Sequence, residues 1–177
     1  MSVKSLICLC LFIGATTALV WPEIPTKLAE FFTYGVELNG QNLSYIGLFT
    51  APDAGQKSLI WNVKFAWNKS AIATKLFPEK NAFNGYPNLE AARKNIEFGY
   101  RGQIFVRFVN IVDELPKLTY LSFNGNTLHS VPISGNLESI TDQFEMSTDK
   151  NIRSIKNTQP RMLANLPILV RNYKLND

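Results

Sequence analysis

The sequence predicts a mainly all-β protein: a single antiparallel β-sandwich with one or two short helices. Three observations carry that expectation. Leu59, Trp61, Val63, Phe65 and Trp67 alternate with Ser58, Ile60, Asn62, Lys64 and Ala66, the period-2 pattern of a strand with one buried face. Two Asn-Gly dipeptides, Asn39-Gly40 and Asn124-Gly125, lie between apolar runs, and Asn-Gly suits a two-residue hairpin loop because both central residues need positive φ. Gly102 to Val112 is apolar on both parities, with Ile104, Val106 and Phe108 facing one way and Phe105, Val109 and Ile111 the other, as in a strand covered on both sides. A closed lipocalin-like β-barrel is the alternative, weakened because the usual opening Gly-x-Trp and the lipocalin cysteines are missing.

Taken in order, the first hairpin spans "YGVELNGQNLSYIGLF". A loop at Asn39-Gly40 pairs Leu38 with Gln41, Val36 with Leu43 and Tyr34 with Tyr45, placing Tyr34, Val36, Leu43 and Tyr45 on one face. The strand over 58–67 follows the turn "APDAGQ". "AIATKLF" (Ala71 to Phe77) reads as the next strand, and a Pro-, Asn- and Gly-rich loop spans Pro78 to Asn88. Asn88 to Asn95 reads as a short helix capped by Asn88.

"LTYLSFNGNTLHSVP" (Leu118 to Pro132) has the frame of one leucine-rich repeat, but a solenoid needs about three or more copies. The flanking periods lack the frame, so the stretch predicts a hairpin pairing Phe123 with Asn126, Leu121 with Leu128 and Tyr120 with His129. Asn136 to Ser147 leaves helix and strand both open: Leu137, Ile140 and Phe144 fit the first, Ile140, Phe144 and Met146 the second. "NLPILVRNYKL" reads as a final strand, with Pro167 near its start.

Residues 1–18 read as a signal peptide. Lys4 is followed by the apolar run Leu6 to Ala15, too short to span a bilayer, and small residues end at Ala18. No later stretch reaches the roughly 20 apolar residues of a membrane helix. The expectation is a secreted, extracellular protein, with residues 19–177 as one β-rich domain. The chain's two cysteines, Cys8 and Cys10, fall in the leader, so the mature chain is expected to be cysteine-free and to rely on burial, for which three Trp and eleven of the twelve Phe remain once Phe12 leaves with the leader. Asn42 ("NLS") and Asn68 ("NKS") are sequons and candidate glycan sites, making the protein a candidate glycoprotein.

Charge is uneven. Residues 19–149 hold 11 Lys and Arg against 13 Asp and Glu; residues 150–177 hold six against one. Lys150, Arg153, Lys156 and Arg161 are therefore candidate contacts for an anionic ligand or surface. Trp21 and Trp67 are candidate aromatic surface contacts, Trp67 because it ends its strand beside Asn68.

Several chemistries are disfavoured. His129 is the only histidine, its place is in a hairpin, and no Gly-x-Ser-x-Gly elbow occurs, which argues against a Ser-His-Asp enzyme. One imidazole and no mature thiolate leave only carboxylates for a metal, and no calcium-loop pattern is present. If helical, the segment from 137 would align Glu138, Asp142, Glu145 and Asp149 on one side as a solvated acidic face. No Walker or dinucleotide glycine pattern occurs. The expectation is no catalytic residue, no metal, no cofactor, no nucleic acid and no transmembrane segment. The expected function is non-enzymatic surface recognition of an extracellular protein or glycan, as in a defence, body-fluid or reproductive-secretion factor. The alternative is a carrier of a small apolar ligand inside a barrel.

Overall fold

The computed structural model describes residues 19–39, 42–68, 83–109, 111, 113–135, 137–148 and 168–169. They form two stacked antiparallel sheets built from nine strands, with one helix. The strands are β1 (Phe32–Asn39), β2 (Asn42–Ala54), β3 (Ser58–Asn68), β4 (Phe83–Gly85), β5 (Arg101–Phe108), β6 (Lys117–Phe123), β7 (Asn126–Ser130), β8 (Leu137–Ser147) and β9 (Ile168–Leu169); the helix is α1 (Leu89–Glu97). One sheet has the order β4-β5-β2-β1-β9, the other β7-β6-β3-β8. The sandwich is as the sequence predicts; the lipocalin-like barrel is not, because the strands close into two separate sheets rather than one ring.

β3 shows why. Leu59, Trp61, Val63 and Phe65 are each 1% exposed or less, and β3 pairs on both sides, with β6 and with β8. Facing them from the other sheet are Phe32, Tyr34, Phe49, Ile104, Val106 and Phe108. Rings dominate this layer: Phe65 meets Phe108 edge-on at 5.2 Å between centroids, and Phe32 meets Tyr34 at 4.8 Å. Edge-to-face geometry directs the positive rim of one ring at the negative face of the next.

β5 is buried on both faces, as its double parity implies. Its second face, Phe105, packs with Ile46, Leu48 and Tyr86 in a separate small cluster. The strand ends at Phe108 rather than Val112.

α1 begins at Asn88, whose side chain accepts from the Ala91 N–H at 2.9 Å and so satisfies one of the free donors of the first turn. Ala91, Ala92 and Ile96 then turn a buried face to β4 and β5. The segment before β1 crosses the open side of the sandwich: Leu28 is in the core, and Val20 bridges Glu114.

Tyr34 ties the layers together. Its hydroxyl donates to the Pro116 carbonyl at 2.6 Å and accepts from the Leu118 N–H at 3.3 Å. Burial pushes its phenol far above the ordinary tyrosine range.

Two local expectations are corrected, and one question left open is answered. In the first hairpin Asn39 pairs with Asn42, Val36 with Tyr45 and Tyr34 with Gly47, two residues along β2 from the expected partners. A shift of two preserves parity, so Tyr34, Val36, Leu43 and Tyr45 still share a face. In the β6–β7 hairpin Phe123 does pair with Asn126, but a bulge follows, and Leu121 faces His129 while Tyr120 faces Ser130. Residues 137–147 are a strand, so the helical acidic face does not exist: Glu138 and Asp142 are half-buried on one face of β8, while Glu145 lies exposed on the other. The expected strand at Ala71 to Phe77, Asp149 and the leader lie outside the described residues. Of the final strand, only Ile168–Leu169 is described, pairing with Val36 and Glu37 of β1.

Candidate functional site

The sandwich has two ends and two long seams. Asn42 opens β2 at one end. Asn68 closes β3 at the same end, since its backbone N–H donates to Glu114 at 3.0 Å, Glu114 bridges Val20, and the neighbouring Trp21 packs on Tyr45. The two sequons thus share an end. Asn68 is exposed.

Trp21 docks on the sandwich instead of projecting from it. Its ring meets Tyr34 at 6.2 Å and Tyr45 at 5.9 Å, both edge-on. Trp67 is half-buried at the core margin, opposite Glu138 of β8. Lys150, Arg153, Lys156 and Arg161 lie outside the described residues.

One groove, about 350 Å³, runs along the seam between Glu23–Thr26 and the start of β6 and end of β7. Lys117, Leu118, His129 and Val131 form its second wall. Burial, and less strongly the charge of Lys117, lowers the His129 pKa below its usual value, so the imidazole is held towards its neutral form.

The second groove, about 320 Å³, lies at the opposite seam, where β4 and the start of α1 approach β8. Phe83, Asn84 and Leu89 line one wall and Asp142, Gln143 and Phe144 the other. The rings of Phe83 and Phe144 are 6.4 Å apart. Asp142 shares its face of β8 with Ile140, Phe144 and Met146, which pack on the core. Its Oδ1 accepts from the Gln143 N–H at 2.8 Å. Each groove is lined by one described carboxylate, Glu23 or Asp142, whereas glycoside hydrolysis needs a pair. Among the described residues no group of three or more His, Cys, Asp or Glu is placed to hold a metal ion.

The sequence reading missed the second groove. Its signal was present as an acid at the centre of an apolar parity, Ile140-Asp142-Phe144-Met146, but the signal exists only once the segment is known to be a strand.

A family model described as "Serine protease gd N-terminus" matches residues 29–132, more than half of the chain, from the turn before β1 to just past β7. No curated protein and no solved structure matches.

Proposed function

Because the chain belongs to the serine protease gd N-terminus family, we propose that it is an extracellular, non-enzymatic recognition domain that binds a protein or glycan through its surface. The observation that carries this reading is the filled interior. Trp61, Phe32, Phe49 and Phe65 occupy the space between the sheets at 2% exposure or less, so a ligand must be met outside the core. The family's name supports it too, since it denotes the N-terminus of a serine protease. The only histidine, which a Ser-His-Asp mechanism would need as its base, is half-buried in a hairpin opposite Leu121.

Secretion is part of the proposal. The run Leu6 to Ala15 and the small residues ending at Ala18 support it, and export would remove both cysteines with the leader. Among the described residues no helix is long and apolar enough to cross a membrane. In the secretory pathway Asn42 and Asn68 would carry glycans at one end of the sandwich.

Native mass spectrometry of protein secreted by eukaryotic cells, before and after glycan removal, tests this. The expected mass after deglycosylation is that of residues 19–177. An additional mass that survives deglycosylation and leaves on denaturation would replace surface recognition with ligand carriage. Protein that stays inside the cell would overturn secretion.

A further inference from the structure

Among the described residues β8 is the longest strand at the edge of a sheet. It runs eleven residues and pairs with β3 along its whole length, from Ser58 with Ser147 to Asn68 with Leu137. Among the described residues no strand lies on its other side. The other sheet edges are short: β7 has five residues, β4 three and β9 two. A strand edge presents a row of main-chain N–H and C=O groups, and long flat edges are usually blunted by lysine, proline or bulges. β8 has no lysine, arginine or proline and its pairing with β3 is unbroken. It carries Glu138, Asp142 and Glu145, so the edge, unpaired among the described residues, is negative in charge.

The groove beside β8 adds a side-chain pocket to that edge. Phe83 and Phe144 give it apolar walls, and Asp142 places a carboxylate within it. Among the described residues, the only hydrogen-bond partner of that carboxylate is the adjacent Gln143 N–H. Apolar walls leading to an anion suit a lysine or arginine side chain, whose stem packs on rings while its head pairs with the carboxylate. A partner strand supplies such a side chain at every second position.

We propose that the outer edge of β8 receives an extended, Lys/Arg-bearing segment of a partner protein as an added strand, with one cationic side chain seated in the Phe83–Phe144 groove against Asp142. Main-chain bonds would supply affinity and the groove specificity, the division of labour in strand addition. A second copy of this chain is the poorer occupant: two β8 edges paired about their centre would set Asp142 against Asp142, and like charges directly opposite destabilise a sheet. The inference rests on the surface-recognition reading and names its site and partner class.

The test uses the full secreted chain and three synthetic peptides: an Arg-Val alternating decamer, a Glu-Val decamer, and an Arg-rich decamer with proline at every third position. Hydrogen–deuterium exchange and titration calorimetry are read together. The proposal expects the Arg-Val peptide to bind and to slow exchange at those amides within 137–147 that face away from β3. It expects the Glu-Val and proline peptides not to do so, and Asp142→Asn to weaken binding about tenfold, near the 1.4 kcal/mol of one charge-assisted hydrogen bond. Equal binding by both arginine peptides would overturn it, because charge alone would then suffice. So would protection, in the unliganded chain, of the β8 amides that do not bond to β3, which would mean that the edge is filled by another segment of the same chain, such as 71–77 or 150–161, or by a second copy. A chain that ignores the peptide yet shows no small ligand by native mass loses only this site. A chain that carries a small ligand loses the recognition reading itself.

Discussion

At the scale of single residues, polar groups set into apolar surroundings decide the most. Tyr34 spans the gap between sheets, and removing only its hydroxyl keeps the ring packing while orphaning the Pro116 carbonyl and Leu118 N–H. Tyr34→Phe is expected to cost about 1–3 kcal/mol in urea unfolding. Asn124 works differently. It adopts positive φ in the β6–β7 turn, and its side chain also serves β3, accepting from the Ile60 N–H at 2.8 Å and donating to the Ser58 carbonyl at 3.0 Å. An asparagine side chain here does what another residue of strand would do. His129 gives a pH signature. Its folded pKa lies below the usual value of about 6.5. Between the folded and unfolded values the unfolded chain therefore binds more protons, and stability rises with pH across that window. The unfolding midpoint should be flat above about pH 7, fall as pH drops through about 6.5, and level off below the folded value. In the His129→Gln variant that slope should vanish, since the chain has no second histidine.

Whole elements show which features were legible in the sequence. α1 and its cap were readable because an N-cap is a local event: one asparagine, one N–H three residues on, then an amphipathic turn. Asn88→Ala should lower stability by about 1 kcal/mol without displacing the helix. β3 was readable because Leu59, Trp61, Val63 and Phe65 keep one buried parity up to the irregularity after Lys64. The β1–β2 register was not, since Asn-Gly marks a turn without saying which two residues close it, and a shift of two leaves every side chain on its own face. The bulge opposite Leu121 was hidden for a related reason: Leu128 and His129 are both compatible with an inward position. β8 was undecidable from spacing because Ile140 and Phe144 are four apart, which suits either period; pairing along β3 settles it. Gly47 was invisible as a constraint. A Cβ there would come within 2.9 Å of the Phe32 ring and 3.1 Å of the Phe108 ring. Gly47→Val is expected to destabilise by about 1–3 kcal/mol through overpacking, with the denaturant slope unchanged.

Over the whole molecule, the family match and the folded unit do not coincide. The matched stretch stops at residue 132, yet β8 begins at Leu137, pairs with all of β3 and contributes Met146 to the core. A fragment ending at Pro132 would leave one side of β3 without its partner and uncover the side chains that Ile140, Phe144 and Met146 cover. It should fail to give a cooperative thermal transition by circular dichroism, whereas a chain carried through Thr148 should give one. The candidate groove escaped the sequence for the same reason, because it is made by β4, α1 and β8, which come together only when both sheets are stacked. The buried phenol of Tyr34 also makes the protein its own optical gauge. In an alkaline titration a tyrosine of ordinary pKa, about 10, gains tyrosinate absorbance as it ionises. Tyr34 would stay dark until the layers parted. A late step in tyrosinate absorbance would then time the moment at which water first enters between the sheets, with no label added.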